Sequence, residues 1–236
     1  MGKWDDLLAL ATNAPATNLG GVAVAMPLGK VGPEPDTFNQ WCALILATQR
    51  AGWRVDQIPG WGVPTVCNRE QIADKFLAWK WDGQRESAPA QWLFWIDSDM
   101  TFQPDYLVRM LADAQERPDI KVLSGTARMS GQGSDHRSVL YDLRPNGLQS
   151  LTEWPREQLF QVWAVGTFGM LMHRSVFEQM PKPWFSYQNP GFGSDDAINF
   201  CHNLRRAGIS IWIDPRLPFG HIDRYEIKGT PERYTQ

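Results

Sequence analysis

The first half of the sequence alternates short apolar runs with segments whose apolar residues recur at helical spacing. Apolar runs that stop at proline or polar residues predict buried strands, and the periodic segments predict helices. Because each strand is followed by a helix, this order predicts a mostly parallel, doubly wound sheet. The predicted strands are 21–26, 53–58, 91–96 and 120–123, and the predicted helices are 36–50, 68–81 and one opened by Pro104.

The alternation stops near Gly125. Residues 127–161 are irregular and polar, and Pro145-Asn146-Gly147 predicts a hairpin. After it we expect a strand at 160–166, followed by a Gly-rich turn, a strand and a helix within 166–180. The last predicted elements are a helix at 195–207 and a strand at 209–213. The whole chain therefore reads as one α/β unit.

Composition excludes several classes of protein. The chain has 236 residues, of which 43% are hydrophobic and 21% charged, so it is globular rather than disordered. A net charge of -3 argues against a nucleic-acid binder with a broad basic surface, but leaves a local basic groove open. Cys42, Cys67 and Cys201 lack metal-ligand spacing and indicate reduced thiols. With no stretch long enough to span a membrane and no basic leader, we expect a soluble, cytoplasmic protein.

Two carboxylates follow the most apolar strand, where residues 91–96 run directly into Asp97-Ser98-Asp99. Side chains two apart on a strand point to the same side, and ligands of open α/β sheets bind at the carboxyl ends of the strands. Paired carboxylates there suit a hard divalent cation, which can neutralise a diphosphate leaving group. The alternative is that Asp97 and Asp99 only cap the following turn.

Several segments resemble the motifs of GT-A fold glycosyltransferases, in family order over roughly residues 21–222. WLFWIDSDMTFQPDYLVRML resembles the DXD segment of the small bacterial and phage-type enzymes, and VCNREQIADKFL resembles the preceding "aRN" helix. VGTFGMLMHRSVFE, GFGSDDAINFCHNLRRAGISIWIDP and FGHI are similar to the acceptor-side Gly-rich segment, the acidic catalytic helix and a metal-binding histidine.

The resemblance implies a GT-A (Rossmann-like) fold, with a mixed, mostly parallel sheet flanked by helices. It implies a single domain over residues 1–236, with a nucleotide-sugar-binding half at about 21–100 and an acceptor and catalytic half at about 101–236. A metal ion, Mn²⁺ or Mg²⁺, would be held by Asp99 directly, by Asp97 in support and by His221. The donor-side candidates are Pro27, Asn68, Arg69, Asp97, Ser98, Gly166 and Gly193.

Two departures from the family pattern affect the donor side. Cys67 stands where many relatives carry the Arg of "aRN", and Arg69 is shifted from that position by two residues. Pro27 also has an ordinary interpretation, as the residue that stops the first strand.

Asp195 and Asp196 open a predicted helix, where N-capping alone explains acidic residues. The resemblance implies that one of them is the general base of an inverting transfer. The register leaves both open, with Asp196 as the first choice, and a retaining mechanism without a dedicated base also stays open. The predicted reaction moves a sugar from a nucleotide-diphosphate sugar, a UDP-sugar as first choice, to a hydroxyl acceptor. The acceptor is open and includes a glycan or a modified nucleobase of phage-type DNA.

Three other functions fit parts of the sequence. IDSDMT matches the motif of haloacid-dehalogenase-like phosphatases, with Asp97 as nucleophile. Against this, two strand–helix units precede it, and Met100 replaces the usual glycine. A sugar-1-phosphate nucleotidyltransferase shares the fold, but residues 21–35 are a poor version of its phosphate loop. A non-catalytic nucleotide- or carbohydrate-binding module is the alternative from a different class.

Overall fold

Strands and helices alternate through the first half of the chain, as predicted. A computed structural model describes residues 20–28, 32–62, 64–78, 89–130, 136–187 and 195–222. The elements of the first half are β1 (Gly21–Leu28), α1 (Pro35–Arg50), β2 (Arg54–Trp61), α2 (Thr65–Ala78), β3 (Trp92–Ile96), β4 (Met100–Thr101) and α3 (Tyr106–Glu116).

The second half is richer in short strands. Its elements are β5 (Val122–Ser130), β6 (His136–Ser138), β7 (Leu140–Arg144), β8 (Gly147–Ser150), β9 (Phe160–Val162), β10 (Ala164–Val165), β11 (Gly169–His173), α4 (Arg174–Gln179), α5 (Asp196–Arg206) and β12 (Ile211–His221). The predicted hairpin is present, because β7 and β8 pair antiparallel across Pro145-Asn146. The strand predicted at 160–166 is divided instead, since β9 pairs with β12 in the large sheet and β10 with β7 in a small one.

One mixed sheet joins the two halves of the described chain. Its order is β2-β1-β3-β11-β5-β12-β4, with β6 added to β5 and β9 to β12. β1 is parallel to both β2 and β3, and β12 is parallel to β5. β11 lies antiparallel between β3 and β5. Strands β2, β1, β3, β5 and β12 therefore point the same way, which confirms the predicted mixed, mostly parallel sheet flanked by helices.

The central strands are apolar because both of their faces are covered. Every residue of β3 is buried, and so are the first seven residues of β1. Strands covered on both faces read as continuous hydrophobic runs, which is why these two were predictable from sequence.

Prolines do not end the first two strands, contrary to prediction. β1 continues through Pro27, which pairs with Gly60 of β2. The pairing of β1 with β3 covers only Val22 to Ala25, so no ladder hydrogen bond on that side requires the N–H that Pro27 lacks. β2 likewise continues through Pro59 to Trp61.

Helices α1 and α5 begin and end within one residue of their predicted bounds. α1 begins at Pro35 and is followed by Gly52, whose φ of 93° suits a glycine after a helix. α5 is followed by Gly208 with a φ of 73°. Phe38 of α1 is 52% exposed, whereas Trp41 and Leu44 of the same helix are buried. Among the described residues, no helix has the length and apolar character needed to cross a membrane.

Candidate functional site

A cleft of about 450 Å³ lies where the carboxyl end of β3 meets the start of α5 and the end of β12. It gathers most of the candidate residues from segments that are far apart in sequence. Those on its wall are Pro27, Arg69, Asp97, Ser98, Asp99, Gly166, Asp195, Asp196 and His221. Gly193 lies outside the described residues.

Asp97, Ser98 and Asp99 form a turn rather than a continuation of β3, which ends at Ile96. The alternation of side chains along a strand is therefore not what brings the two carboxylates into the cleft. Backbone hydrogen bonds hold the turn: Asp97 N–H donates to Phe168 O at 2.9 Å, and Glu34 N–H donates to Ser98 O at 2.9 Å. The turn itself directs both aspartates to the cleft wall.

Arg69 of α2 is bound by two of the candidate carboxylates. Its Nη2 donates to Asp97 Oδ1 at 2.9 Å and its Nη1 donates to Asp196 Oδ2 at 2.6 Å. The Arg69 side chain is only 5% exposed, whereas those of Asp97 and Asp196 are 30% and 15% exposed. Asp97 has no basic residue next to it in the sequence, but the fold brings Arg69 to it.

Burial and charge act in opposite directions in this cluster. Burial raises the pKa of Asp97, and the Arg69 guanidinium opposes that rise. Burial disfavours the charge of Arg69, but Asp97 and Asp196 outweigh it and raise the pKa of the guanidinium. A guanidinium does not release its proton in proteins, so Arg69 carries a positive charge between the two carboxyl groups.

The carboxyl end of β12 brings His221 to the acidic turn. β12 pairs antiparallel with β4, placing His221 opposite Met100, and Ile222 N–H donates to Asp99 O at 2.8 Å. His221 Nε2 then lies 3.5 Å from Asp99 Oδ2. The side chains of Asp99 and His221 are 44% and 20% exposed.

The donor atoms of Asp99 and His221 fit a divalent cation. Carboxylate oxygen and imidazole nitrogen are ordinary ligands of Mn²⁺ and related ions, and ligands about 2.1 Å from one octahedral ion lie about 3 Å apart. The full predicted triad is not assembled, since the described residues include no group of three acidic, His or Cys side chains arranged to hold a metal. Asp97 Oδ1 accepts a hydrogen bond from Arg69.

Asp195 caps α5, as the simpler interpretation of its position predicted. Its Oδ1 accepts the N–H groups of Ala197 at 2.9 Å and Ile198 at 3.2 Å. Asp196 is the first residue of the helix. Since both also line the cleft, capping and a role in chemistry are compatible.

Asn68 is the described candidate that is not on the cleft wall. Its side chain is buried and its Nδ2 donates to Leu28 O at 3.0 Å, which joins α2 to the end of β1. A Cβ added to Gly60 would lie 2.7 Å from Asn68 Oδ1, so this part of β2 needs a glycine. These contacts give Asn68 a structural role.

Arg128 and Tyr187 also line the cleft, and neither was predicted from the sequence. Arg128 lies in the stretch that was read as irregular, and its guanidinium is 5.7 Å from the ring of Trp154. Tyr187 is 39% exposed and lies two residues after Phe185, whose backbone N–H donates to Glu70 Oε1 at 2.6 Å. Neither residue belongs to a motif, so no local signal could have found them.

Comparison by sequence finds little. No model of a known protein family matches this chain. A curated protein of Acanthamoeba polyphaga mimivirus, described as "Procollagen lysyl hydroxylase and glycosyltransferase", is 34% identical over 53 residues. That match covers 22% of this chain, and the chain spans about 6% of that protein's length.

Comparison by structure is more extensive. A197 from STIV superposes with a TM-score of 0.55 at 14% identity, over 87% of each chain. GalNAc-T7, crystallised with UDP, GalNAc and Mn²⁺, superposes with a TM-score of 0.53 at 12% identity, over 92% of this chain and 46% of its own. At such identities the likeness shows the fold. The chain has the α/β architecture of GT-A glycosyltransferase structures.

Proposed function

We propose that this protein is a metal-dependent glycosyltransferase. It transfers a sugar from a nucleotide-diphosphate sugar, with a UDP-sugar as first choice, to a hydroxyl acceptor with inversion. The observation that carries the proposal is one cleft that contains both the Asp99–His221 pair and the acidic start of α5. A glycosyltransferase-like fold supports it, since GalNAc-T7 was crystallised with UDP, GalNAc and Mn²⁺.

Asp99 and His221 would hold the cation, Mn²⁺ or Mg²⁺, with Asp97 beside them. When bound, the cation supplies positive charge for the diphosphate leaving group. Pro27, Ser98 and Gly166 line the same cleft and would contact the donor.

Either aspartate of the α5 start could take the acceptor proton. In an inverting transfer the acceptor oxygen forms a bond to the anomeric carbon while the bond from that carbon to the diphosphate breaks, and the hydroxyl proton passes to a carboxylate. Asp196 has one oxygen bound by Arg69, and Asp195 has one oxygen bound by the N–H groups of its own helix. Each therefore keeps its other carboxylate oxygen for a proton.

The phosphatase alternative requires Asp97 as a nucleophile. The structure counts against it, because Asp97 Oδ1 is hydrogen-bonded to the buried guanidinium of Arg69, which lowers the nucleophilicity of the carboxylate. Hydrolysis of p-nitrophenyl phosphate that depends on Asp97 would favour the phosphatase. Binding of a free sugar without nucleotide or metal would favour a non-catalytic module.

Calorimetry with UDP, in the presence of Mn²⁺ and in EDTA, tests the proposed function. We expect binding only with the cation, because two phosphates and the cleft carboxylates otherwise repel one another. Asp99→Ala should weaken binding by more than the roughly 10- to 100-fold that losing an outer-shell partner of a metal costs. Asp119→Ala removes an exposed carboxylate paired with Arg117 and is the matched control. Unchanged UDP binding in EDTA would contradict the proposal.

A screen of nucleotide-sugars for Mn²⁺-dependent hydrolysis then identifies the donor. With an acceptor in hand, the anomeric configuration of the product separates the two mechanisms. Inversion is the expected outcome, and retention would exclude a dedicated base among Asp195 and Asp196.

A further inference from the structure

Arg69 connects three elements that sequence keeps far apart. It lies on α2, and its two hydrogen-bonded carboxylates stand 28 and 127 residues away, after β3 and at the start of α5. The Asp97 side carries the predicted metal-binding turn, and the Asp196 side carries the predicted base. One buried guanidinium therefore spans the two functions of the cleft.

The geometry of the contact requires an arginine. Two different terminal nitrogens each donate to a different carboxylate, which uses the planar fork of the guanidinium. The Arg69 Cζ lies 5.9 Å from the centroid of the Trp95 ring, and its Nε is buried without a partner among the described residues. A lysine could supply the charge but not two donors in this fixed arrangement.

Arg69 is poorly placed to bind a phosphate itself. Its side chain is 5% exposed, and its nearest charged partners are carboxylates. Each of these carboxylates uses one oxygen for Arg69, and its other oxygen accepts no hydrogen bond from the described part of the chain. Arg69 thus leaves one oxygen of Asp97 and one of Asp196 available to ligands.

We propose that Arg69 is a positioning residue for the transfer, which sets the distance between Asp97 and Asp196 and compensates their charge. This inference rests on the proposed function, because it assigns Arg69 to the alignment of donor and base. It also replaces the sequence-based expectation that Arg69 contacts the nucleotide or its phosphates.

Kinetics separate positioning from donor binding. In Arg69→Met we expect kcat to fall about 100-fold, since misplacing a reacting group by about 1 Å has that effect. The Kd of UDP with Mn²⁺ should change by less than about threefold, because a positioning role gives Arg69 no contact with the donor. Arg69→Lys keeps the positive charge and is the second variant if Arg69→Met does not fold. Its kcat should also be low, because lysine cannot donate to both carboxylates in this arrangement. UDP affinity that falls in parallel with kcat would overturn the proposal.

A thermal double-mutant cycle tests the bridge without any activity. Arg69→Met leaves two partly buried carboxylates without their cation, so its Tm should fall. Adding Asp97→Asn or Asp196→Asn to Arg69→Met should recover part of the loss, although each lowers the Tm of the wild type. Arg54→Met removes an ion pair with Asp56 outside the cleft lining and should lower the Tm without lowering kcat.

The proposed function and the positioning role of Arg69 can be contradicted by different outcomes. A wild-type chain that does not bind UDP with Mn²⁺ overturns the proposed function and the role of Arg69 in transfer, while coupling in the thermal cycle would still establish the bridge. Strictly additive effects in the cycle, or an unchanged kcat in Arg69→Met, overturn the positioning role itself.

Discussion

Two arginines of this protein each bridge a pair of aspartates, but one arginine is more buried than its partners and the other is less buried than its partners. In the cleft, the Arg69 side chain is 5% exposed while Asp97 and Asp196 are 30% and 15% exposed. Outside it, the Arg216 side chain is 39% exposed, whereas its partners Asp214 and Asp113 are 0% and 14% exposed. In the cleft the cation is buried and the carboxylates are more exposed, whereas in the second cluster the carboxylates are buried and the cation is exposed.

The Arg216 cluster has a structural role. Asp214 Oδ1 accepts hydrogen bonds from Arg216 N at 2.9 Å and Arg216 Nε at 2.8 Å, where the pairing of β12 with β5 shifts register between Ile213 and Pro218. Arg216 Nη2 also reaches Asp113 of α3 at 3.0 Å. The buried Asp214 and the exposed Arg216 stabilise the irregular part of β12. The buried Arg69 instead leaves one oxygen of each of its two carboxylates available to ligands.

Asp195 and Asp196 should show the largest effect. Replacing a general base by its amide typically lowers turnover by about 100- to 10,000-fold. We expect this for Asp196→Asn or, failing that, Asp195→Asn, with donor affinity retained because the proposed metal ligands are elsewhere. Turnover and UDP affinity are measured separately for each variant. If both variants bind donor and neither loses turnover, the base assignment is wrong.

His221 should affect the metal rather than the chemistry. Its Nε2 lies 3.5 Å from Asp99 Oδ2, so His221→Ala should lower Mn²⁺ affinity by more than the roughly 10- to 100-fold that losing an outer-shell partner costs. Calorimetric titration with Mn²⁺ measures this directly. His202→Ala removes a histidine that is not on the cleft wall and should leave Mn²⁺ affinity unchanged. Equal Mn²⁺ affinity in wild type and His221→Ala would remove His221 from the site.

Arg216→Met should affect stability and not function. It leaves the fully buried Asp214 without its charged partner, and we expect a loss of about 2 kcal/mol in the free energy of unfolding, reduced by solvent screening of the exposed guanidinium. Urea denaturation measures the loss, and UDP affinity should match the wild type. A drop in kcat as large as that of Arg69→Met would contradict the distinction between the two clusters.

The smallest effect is a change in pH dependence at Asp113. Burial raises the pKa of Asp113, although the hydrogen bond from Arg216 opposes the rise. The folded state therefore holds this proton more tightly than the unfolded chain. Its contribution to stability is fully present below the unfolded pKa of about 3.9 and is lost as the pH rises through the folded-state pKa.

Asp113→Asn should remove that component. The free energy of unfolding should then fall less steeply than in the wild type as the pH rises above the unfolded pKa of about 3.9. Urea unfolding at several pH values gives the slope. Parallel curves for the two proteins would show that Asp113 does not titrate differently on folding.

Local pattern predicted most of the α/β frame. β1, β3, α1 and α5 were all found near their predicted positions, because buried strands and amphipathic helices repeat with their own periods. The strand at 160–166 was not predicted as two pieces, since which sheet receives β9 or β10 depends on pairing with strands far away in sequence. Pro27 and Pro59 failed as strand stops for the same reason.

The sequence by itself determined which side chains could do chemistry: a carboxylate pair after an apolar strand, an acidic helix start and a late histidine. Only the tertiary structure decided how they are grouped. It placed His221 beside Asp99 through the pairing of β12 with β4, and joined Asp97 to Asp196 through Arg69. The physical reason is that ion pairs and hydrogen bonds between side chains depend on distance in space, and a contact across 127 residues has no local sequence period to announce it.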